Sequence, residues 1–541
     1  MNAQDSLGEL KPIWRFFGAD EPNYATMKDG QKLLEELGSL RPGHVYFRAH
    51  NLLTSGDGTP AFKWGSTNAY TEDEHGNPVY DWRILDLIFD SYLERGVRPY
   101  VQIGFMPQAL STNPLPYRHE WRPGFPYLDV FTGWSSPPKS YQKWGDLAYE
   151  WARHSIARYG QAEVQTWYWQ TWNEPNLGSP EWGGYFRGTE NEFYKLHDYA
   201  MDGVRRALPT ARVGGPDAAG VNYAGPWTEW FRRFLEHSLR GKNFATGEIG
   251  TPLDFVSFHA KGEPEYMDGH VRMGIAVHLR AIDEGFAVIA SFPELANKPI
   301  VLGESDPEGC AACQGPEFSY RNGTVYSSYT AASFARKLDL ADRHGVNLEG
   351  ALSWSFTFED QPYFAGFRQL ASNGLPLPVF NIMRMFAKMG SVRLATESTA
   401  AVSLEEIMQA GVRVRPDVSA LASYDAVANK FSVLVWHYHD DDLPGPEATV
   451  TLSLTGLPTA LGTHAQLRHY RVDQDHSNAY SEWLRMGSPI APNREQYAQL
   501  QQAAELVQIT GYPHRQNILR GKVELTFSLP RQGVSLLVLT P

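Results

Sequence analysis

Val164-Gln165-Thr166-Trp167-Tyr168-Trp169-Gln170-Thr171-Trp172 runs directly into Asn173-Glu174-Pro175. A short, nearly unbroken apolar and aromatic run of this kind predicts a buried strand. It delivers an amide and a carboxyl side by side at its C-terminal end. A second apolar run, Pro299-Ile300-Val301-Leu302-Gly303, ends the same way, in Glu304. In a β/α barrel every strand exit opens onto one face, where the active site is built. Two carboxyls facing each other across such a cleft form the arrangement that hydrolyses glycosidic bonds.

The surrounding sequence supports a barrel. From about Trp14 to Met389, strand-like and helix-like runs alternate. His44 to Arg48 is followed by the amphipathic stretch Asp81 to Arg95, and that by Arg98 to Ile103. The alternation continues through the helical segments Tyr141 to Tyr159, Glu190 to Leu208, Trp227 to Leu239, Val271 to Phe292 and Ala331 to His344, and reaches a last strand at Gly350 to Phe356. About eight such repeats predict a (β/α)8 TIM barrel over residues 1–389. After Val392 the period changes to two. Phe431 to Trp436, Ala448 to Leu454, Val523 to Phe527 and Val534 to Leu539 alternate between turn residues, which predicts a β-sandwich over 390–541, with room for N-terminal residues to join it. Asp440-Asp441-Asp442 reads as a solvated turn, because the spacing of a calcium loop is absent.

Length and composition set the outer limits. A chain of 541 residues is too long for one core. The net charge of −13, with no basic run, argues against nucleic acid and anionic membranes as partners. The aromatic share of 13% fills large cores and leaves some rings to stack on sugars. Met1 to Gly18 shows no charged segment followed by an apolar one, and no apolar stretch approaches the length of a membrane helix, so the expected location is cytoplasmic. The two cysteines, Cys310 and Cys313, are too few for a zinc site. They read as part of a structural loop, with a local disulfide as the alternative.

Hydrolysis with retention needs one carboxyl to attack the anomeric carbon and a second to protonate the leaving oxygen and then deprotonate water. Glu174, following a run of Trp and Tyr that can partly desolvate it, is the expected acid/base. Glu304 is the expected nucleophile. Asn173 can donate to a sugar hydroxyl. Arg48 and His50 leave the second strand and His259 the sixth. Trp354 leaves the eighth as a flat stacking floor, and Glu359 follows in its loop. No metal or cofactor is expected, since two carboxyls suffice for the chemistry.

With these residues in view, the chain resembles the family 39 glycoside hydrolases, which include β-xylosidases and α-L-iduronidases. Phe47-Arg48-Ala49-His50, Gly104-Phe105-Met106-Pro107, Trp172-Asn173-Glu174-Pro175-Asn176, Gly303-Glu304, Ser353-Trp354-Ser355-Phe356 with Phe358-Glu359-Asp360, and Asp475-His476-Ser477-Asn478-Ala479-Tyr480 with Trp483 carry the likeness. It implies a retaining barrel glycosidase with a β-sandwich, often acting on xylosides, and adds Phe105 and Glu359 to the sugar-binding residues. Two segments depart from the family. Lys261 stands where an aromatic is usual after the sixth-strand histidine. Ser305-Asp306-Pro307-Glu308-Gly309-Cys310 replaces a short segment ending in tyrosine.

The expected function is therefore an exo-acting β-xylosidase that releases xylose from the non-reducing end of small xylo-oligosaccharides or glycosides. An α-L-iduronidase-like activity, for which Lys261 and Arg48 would supply cations, and an α-L-arabinosidase-like activity use the same chemistry. A catalytically silent sugar-binding protein is the rival from another class. Oligomeric state is not legible in the sequence.

Overall fold

The computed structural model describes the chain except residues 60–64, 118–120, 123–124, 126–129, 222–224, 357–358 and 511–513. Phe358, which precedes Glu359 in the strand-eight segment, lies outside the described residues. Eight parallel strands close into a barrel in sequential order: β1 (Phe16–Ala19), β2 (Val45–Ala49), β3 (Val97–Ile103), β4 (Tyr168–Thr171), β5 (Arg212–Ala218), β6 (Phe255–Lys261), β7 (Pro299–Asp306) and β8 (Asn347–Trp354). Helices alternate with them around the outside, the arrangement that lets a parallel sheet bury both faces.

Much of the aromatic content goes into filling the barrel itself. Phe16, Tyr46, Tyr100, Tyr168, Phe255, Leu352 and Trp354 form one buried cluster. Phe16 stacks on Tyr46 with centroids 5.2 Å apart, and Tyr168 meets Phe255 edge-on at 5.0 Å. These rings need space: a Cβ at Gly350 would come within 2.3 Å of the Phe16 ring. The helices carry ordinary stop and start chemistry. Glu190–Ala207, which follows the β4 exit loop, begins with a reciprocal capping box between Thr189 and Glu192.

The C-terminal part is an antiparallel sheet domain. Its seven-stranded sheet takes in the N-terminal strand Ser6–Glu9, which pairs with Val392–Leu394. The hairpin-like pair Ala448–Leu454 and Val523–Leu529 packs on that sheet through Leu452, Leu454, Phe527 and Leu529 against Phe431, Val433 and Val435.

Three readings of the sequence are corrected. Val271 to Phe292 is not one helix: Glu265–Met267 and His270–Arg272 form a hairpin, and the helix starts at Ile275. The helix expected from Ala331 begins earlier, at Thr324. Asp440 and Asp441 are buried rather than solvated. Asp441 accepts from Arg272 Nε at 2.6 Å, and Asp440 C=O accepts from Met273 N–H at 2.8 Å, so this segment ties the sheet domain to the β6–helix connection of the barrel. Partners so distant in sequence leave no local signal, and a run of three aspartates alone looks like a surface turn.

Candidate active site

The exits of β1, β2, β4, β7 and β8 meet at a cavity of about 270 Å³, lined by Asp20, His50, Glu174, Tyr185, Glu304, Gly309, Cys310, Ala311, Ala312, Trp354 and Arg368. Both glutamates therefore reach the same space. One carboxylate oxygen of each lies within 4.8 Å of the other and of a ring nitrogen of His259.

Glu174 stands in an unusual backbone. Its φ is +43° and that of Trp172 is +70°, a region that side-chain-bearing residues seldom occupy and that clusters at functional positions. The surroundings hold it there: Glu174 N–H donates to Asp217 C=O at 3.0 Å, and Leu177 N–H donates to Glu174 C=O at 2.9 Å. The Glu174 carboxyl, half-buried, meets His259 Nδ1 through Oε1 at 2.8 Å. Among the described residues its second oxygen makes no hydrogen bond.

Glu304 sits in a different environment. Lys261 Nζ donates to Oε2 at 2.7 Å, Arg48 Nη1 donates to Oε1 at 3.2 Å, and His50 Nε2 lies 3.5 Å from Oε1. A register shift between Phe258 and His259 sets this up, placing His259 beside Glu304 and Lys261 beside Asp306 across the β6–β7 ladder. Burial by itself would push the Glu304 carboxyl up. The Lys261 ammonium above all, with His259 and a hydrogen bond from His50 beside it, outweighs burial and holds the carboxyl well below the usual range. Burial pushes His50 down, towards the neutral form. Lys261 is driven up despite burial by Asp306 and Glu304, and stays a cation. The residue before Glu304 has to be glycine, because a Cβ at Gly303 would fall 1.9 Å from Asp217 Oδ1.

Arg48 links the two halves. Nη2 donates to Asn173 Oδ1 at 2.9 Å and lies 3.0 Å from Asp217 Oδ2, with both charges fully buried. Its donation leaves the Asn173 amide NH₂ turned away from Arg48; Asn173 is buried beside the cavity and is not one of its lining residues. Trp354 lines the cavity and contacts His50, ring centroids 5.1 Å apart. Phe105 packs behind His50 at 5.7 Å and is not one of the lining residues. Glu359 does not join the cavity: its Oε1 accepts from Asp29 N–H at 3.4 Å, at the start of the helix Lys28–Leu40.

Several functional residues escaped the sequence reading. Asp217 lies near the end of β5, Asp20 follows β1, Asp306 ends β7, and Arg368 arrives from the loop after β8. The strand-exit rule that picked out Glu174 would have found the first three. Arg368 has no local signature.

Glu174, His259 and Glu304 could also offer three ligand atoms to a metal. Their partners do not suit one: Glu304 is already matched by the Lys261 ammonium and the Arg48 guanidinium, and a divalent cation would be repelled by both. The set reads as a catalytic pair with its charge supplied by protein.

A barrel whose mouth holds two glutamates at this spacing, one ringed by cations and one partnered by a histidine, is the framework of a glycosidase. The model of the glycosyl hydrolases family 39 matches residues 1–521, and the chain belongs to that family. It is 27% identical over 528 residues to a β-xylosidase of Caldicellulosiruptor saccharolyticus, covering 94% of this chain and 91% of that protein. It is 27% identical over 437 residues to the α-L-iduronidase of Mus musculus, covering 75% of this chain and 64% of that protein. A solved monomeric β-xylosidase from Caulobacter crescentus CB15 shares the fold, with a TM-score of 0.72 and 21% identity over 100% of this chain and 99% of that one.

Proposed function

We propose that this chain is a retaining exo-glycosidase that releases xylose from the non-reducing end of small β-xylosides by double displacement. The observation that carries it is the approach of Glu174 and Glu304 to within 4.8 Å across the cavity. An approach this close fits a retaining enzyme, whose carboxyls stand about 5–5.5 Å apart, better than an inverting one at about 6.5–9.5 Å. In the first step a Glu304 oxygen bonds to the anomeric carbon as the glycosidic C–O bond breaks, and Glu174 gives its proton to the departing oxygen. In the second, Glu174 takes a proton from water, the water oxygen bonds to the same carbon, and Glu304 leaves. The cations around Glu304 keep it ionised for attack, and the small cavity suits one terminal sugar. Likeness to the bacterial β-xylosidase along nearly the whole chain supports xylose as that sugar.

A second reading has one observation in its favour. Lys261 beside the nucleophile and Arg368 in the cavity wall would suit the carboxylate of a uronic acid, as an α-L-iduronidase-like activity requires. A panel of aryl β-D-xyloside, α-L-arabinoside and α-L-iduronide decides between them. The β-xyloside is expected to show the highest kcat/KM, with β-xylose as the first product seen by proton NMR. A uronoside preferred by about tenfold or more, or α-xylose appearing first, defeats the proposal. Absence of turnover on every glycoside would make the protein a silent sugar binder.

A further inference from the structure

The segment Asp306-Pro307-Glu308-Gly309-Cys310-Ala311-Ala312-Cys313 leaves β7 immediately beyond the nucleophile. Cys310 and Cys313 are joined by a disulfide, and Gly309, Cys310, Ala311 and Ala312 form one wall of the catalytic cavity. Of the two roles open to the cysteines in the sequence, the local disulfide is therefore the one that forms, and it lies in the active site.

The turn is wrapped around a buried arginine. Cys310 C=O accepts from Arg321 Nη2 at 2.7 Å, and Cys313 C=O from Nη1 at 2.6 Å. Cys310 N–H donates to Glu308 Oε2 at 2.8 Å. Glu308 Oε1 stands 2.9 Å from both Arg321 Nη2 and Arg368 Nε. Arg368 Nη1 is 2.7 Å from Asp306 Oδ2, which also accepts from Lys261 Nζ at 2.9 Å. Asp306 Oδ1 accepts from the Trp354 N–H at 3.1 Å. Lys261 then reaches Glu304. Arg321, Glu308, Arg368 and Asp306 are all buried, and charges alternate through them and Lys261 from the disulfide turn to Glu304. Each buried charge depends on its neighbour staying in place.

We propose that the disulfide-closed turn Cys310–Cys313 is a positioning element of the sugar site, shaping the cavity wall and, through Arg321, Glu308, Arg368 and Asp306, seating Lys261 against Glu304 and Trp354 under the sugar. The inference rests on the glycosidase reading above. Within the turn the main chain makes a single hydrogen bond of its own, Cys313 N–H to Cys310 C=O at 3.3 Å. The covalent link is what keeps the two carbonyls gathered on Arg321; an open turn regains backbone freedom and releases them. Both cysteines are half-buried, within reach of a small reductant. A dithiol opens the link by attack of one thiolate on a cysteine sulfur, which breaks the S–S bond. Its second thiolate then displaces the first cysteine sulfur, leaving two cysteine thiols and a cyclic disulfide from the reagent.

The test compares steady-state kinetics on the aryl glycoside that the native enzyme cleaves best. Four forms are measured: native oxidised protein, protein reduced by dithiothreitol, Cys310→Ser/Cys313→Ser, and Glu308→Gln, which breaks the ladder without touching the disulfide. Reduction and both variants are expected to raise KM on the order of tenfold, the scale of a coupled contact, with kcat within about threefold. A merely structural role would lower the active fraction, and so kcat, and leave KM alone. Adding Glu308→Gln to the serine pair should change KM less than about twofold further, because both act on one ladder. An unmoved KM in the reduced enzyme and the serine pair overturns the proposal, as does a fully multiplicative double variant. A native enzyme that cleaves no glycoside would remove the glycosidase reading and this inference with it; native turnover with unmoved KM removes this inference alone.

Discussion

The two walls of the cavity present the same side chain in opposite settings. On the β4 wall, the Glu174 side chain is 13% exposed and its ring partner is His259; among the described residues no lysine or arginine forms an ion pair with it. On the β7 wall, Glu304 is buried, with Lys261 and Arg48 both donating to it. Residue type does not assign the roles; environment does. A nucleophile has to be ionised and aimed, so cations and rigid packing serve it. An acid/base has to gain and lose a proton each cycle, so an open edge and few fixed charges serve it.

The harshest way to break this comparison is to remove each carboxyl. Glu304→Ala should lose on the order of 10⁶ in kcat whatever the leaving group, the scale seen for deleting a nucleophile. Glu174→Ala should lose about 10²–10⁴ on xylobiose, the usual worth of general acid catalysis. On an activated aryl xyloside it should retain its first step, and added azide should restore turnover. Measured rates on the two substrates that fell equally for both variants, with no azide effect, would mean the walls do not divide the work in this way.

A subtler cut falls between the walls, at Asn173. Arg48 holds its carbonyl side, leaving the amide hydrogens for the sugar 2-hydroxyl, where contacts strengthen in the transition state. Asn173→Ala should cost on the order of 10²–10³ in kcat with little change in KM. The variant should also lose most of the native enzyme's discrimination against a 2-deoxy xyloside. If a well-folded variant still discriminates as before, Asn173 serves the fold and not the sugar.

The comparison also explains what could be read in the sequence. The barrel and the two glutamates were legible because strand runs and their exits are local: Trp167 to Glu174 and Pro299 to Glu304 each announce a strand and what it carries. The β4 wall is built largely from such local features. The β7 wall is not. Arg368 meets Asp306 and Glu308, and Arg48 meets Glu304, across long stretches of chain, and nothing near those residues marks them as partners. Lys261 stands out in the sequence only as a departure from the family. Glu359 shows the opposite case. It sits in the right loop, but its carboxylate turns to the backbone of Asp29, so a correct position in sequence did not bring it to the cavity.

The mildest change sharpens the contrast most, because it tries to make one wall resemble the other. Lys261→Met keeps much of the side chain's length and removes the ammonium that donates to both Glu304 and Asp306. Burial pushes Glu304 up, and Lys261 is the leading influence pushing it down. Without that cation the carboxyl should rise, because a close opposite charge favours the ionised form. The nucleophile works only when ionised, so a higher value moves the acid limb of kcat/KM to higher pH. The loss should be larger on the acid side than near neutrality, where Arg48 still donates to the carboxyl. Stability follows the same sign. A lowered carboxyl contributes stability above its ordinary value and loses it as pH falls through the lowered one, so the native protein should resist acid further down than the variant. A pH–rate profile on an aryl xyloside, with thermal melts over the same range, measures both. An acid limb that stays put would show that Arg48 and the two histidines suffice to hold Glu304 ionised, and that Lys261 faces the nucleophile for the sake of Asp306.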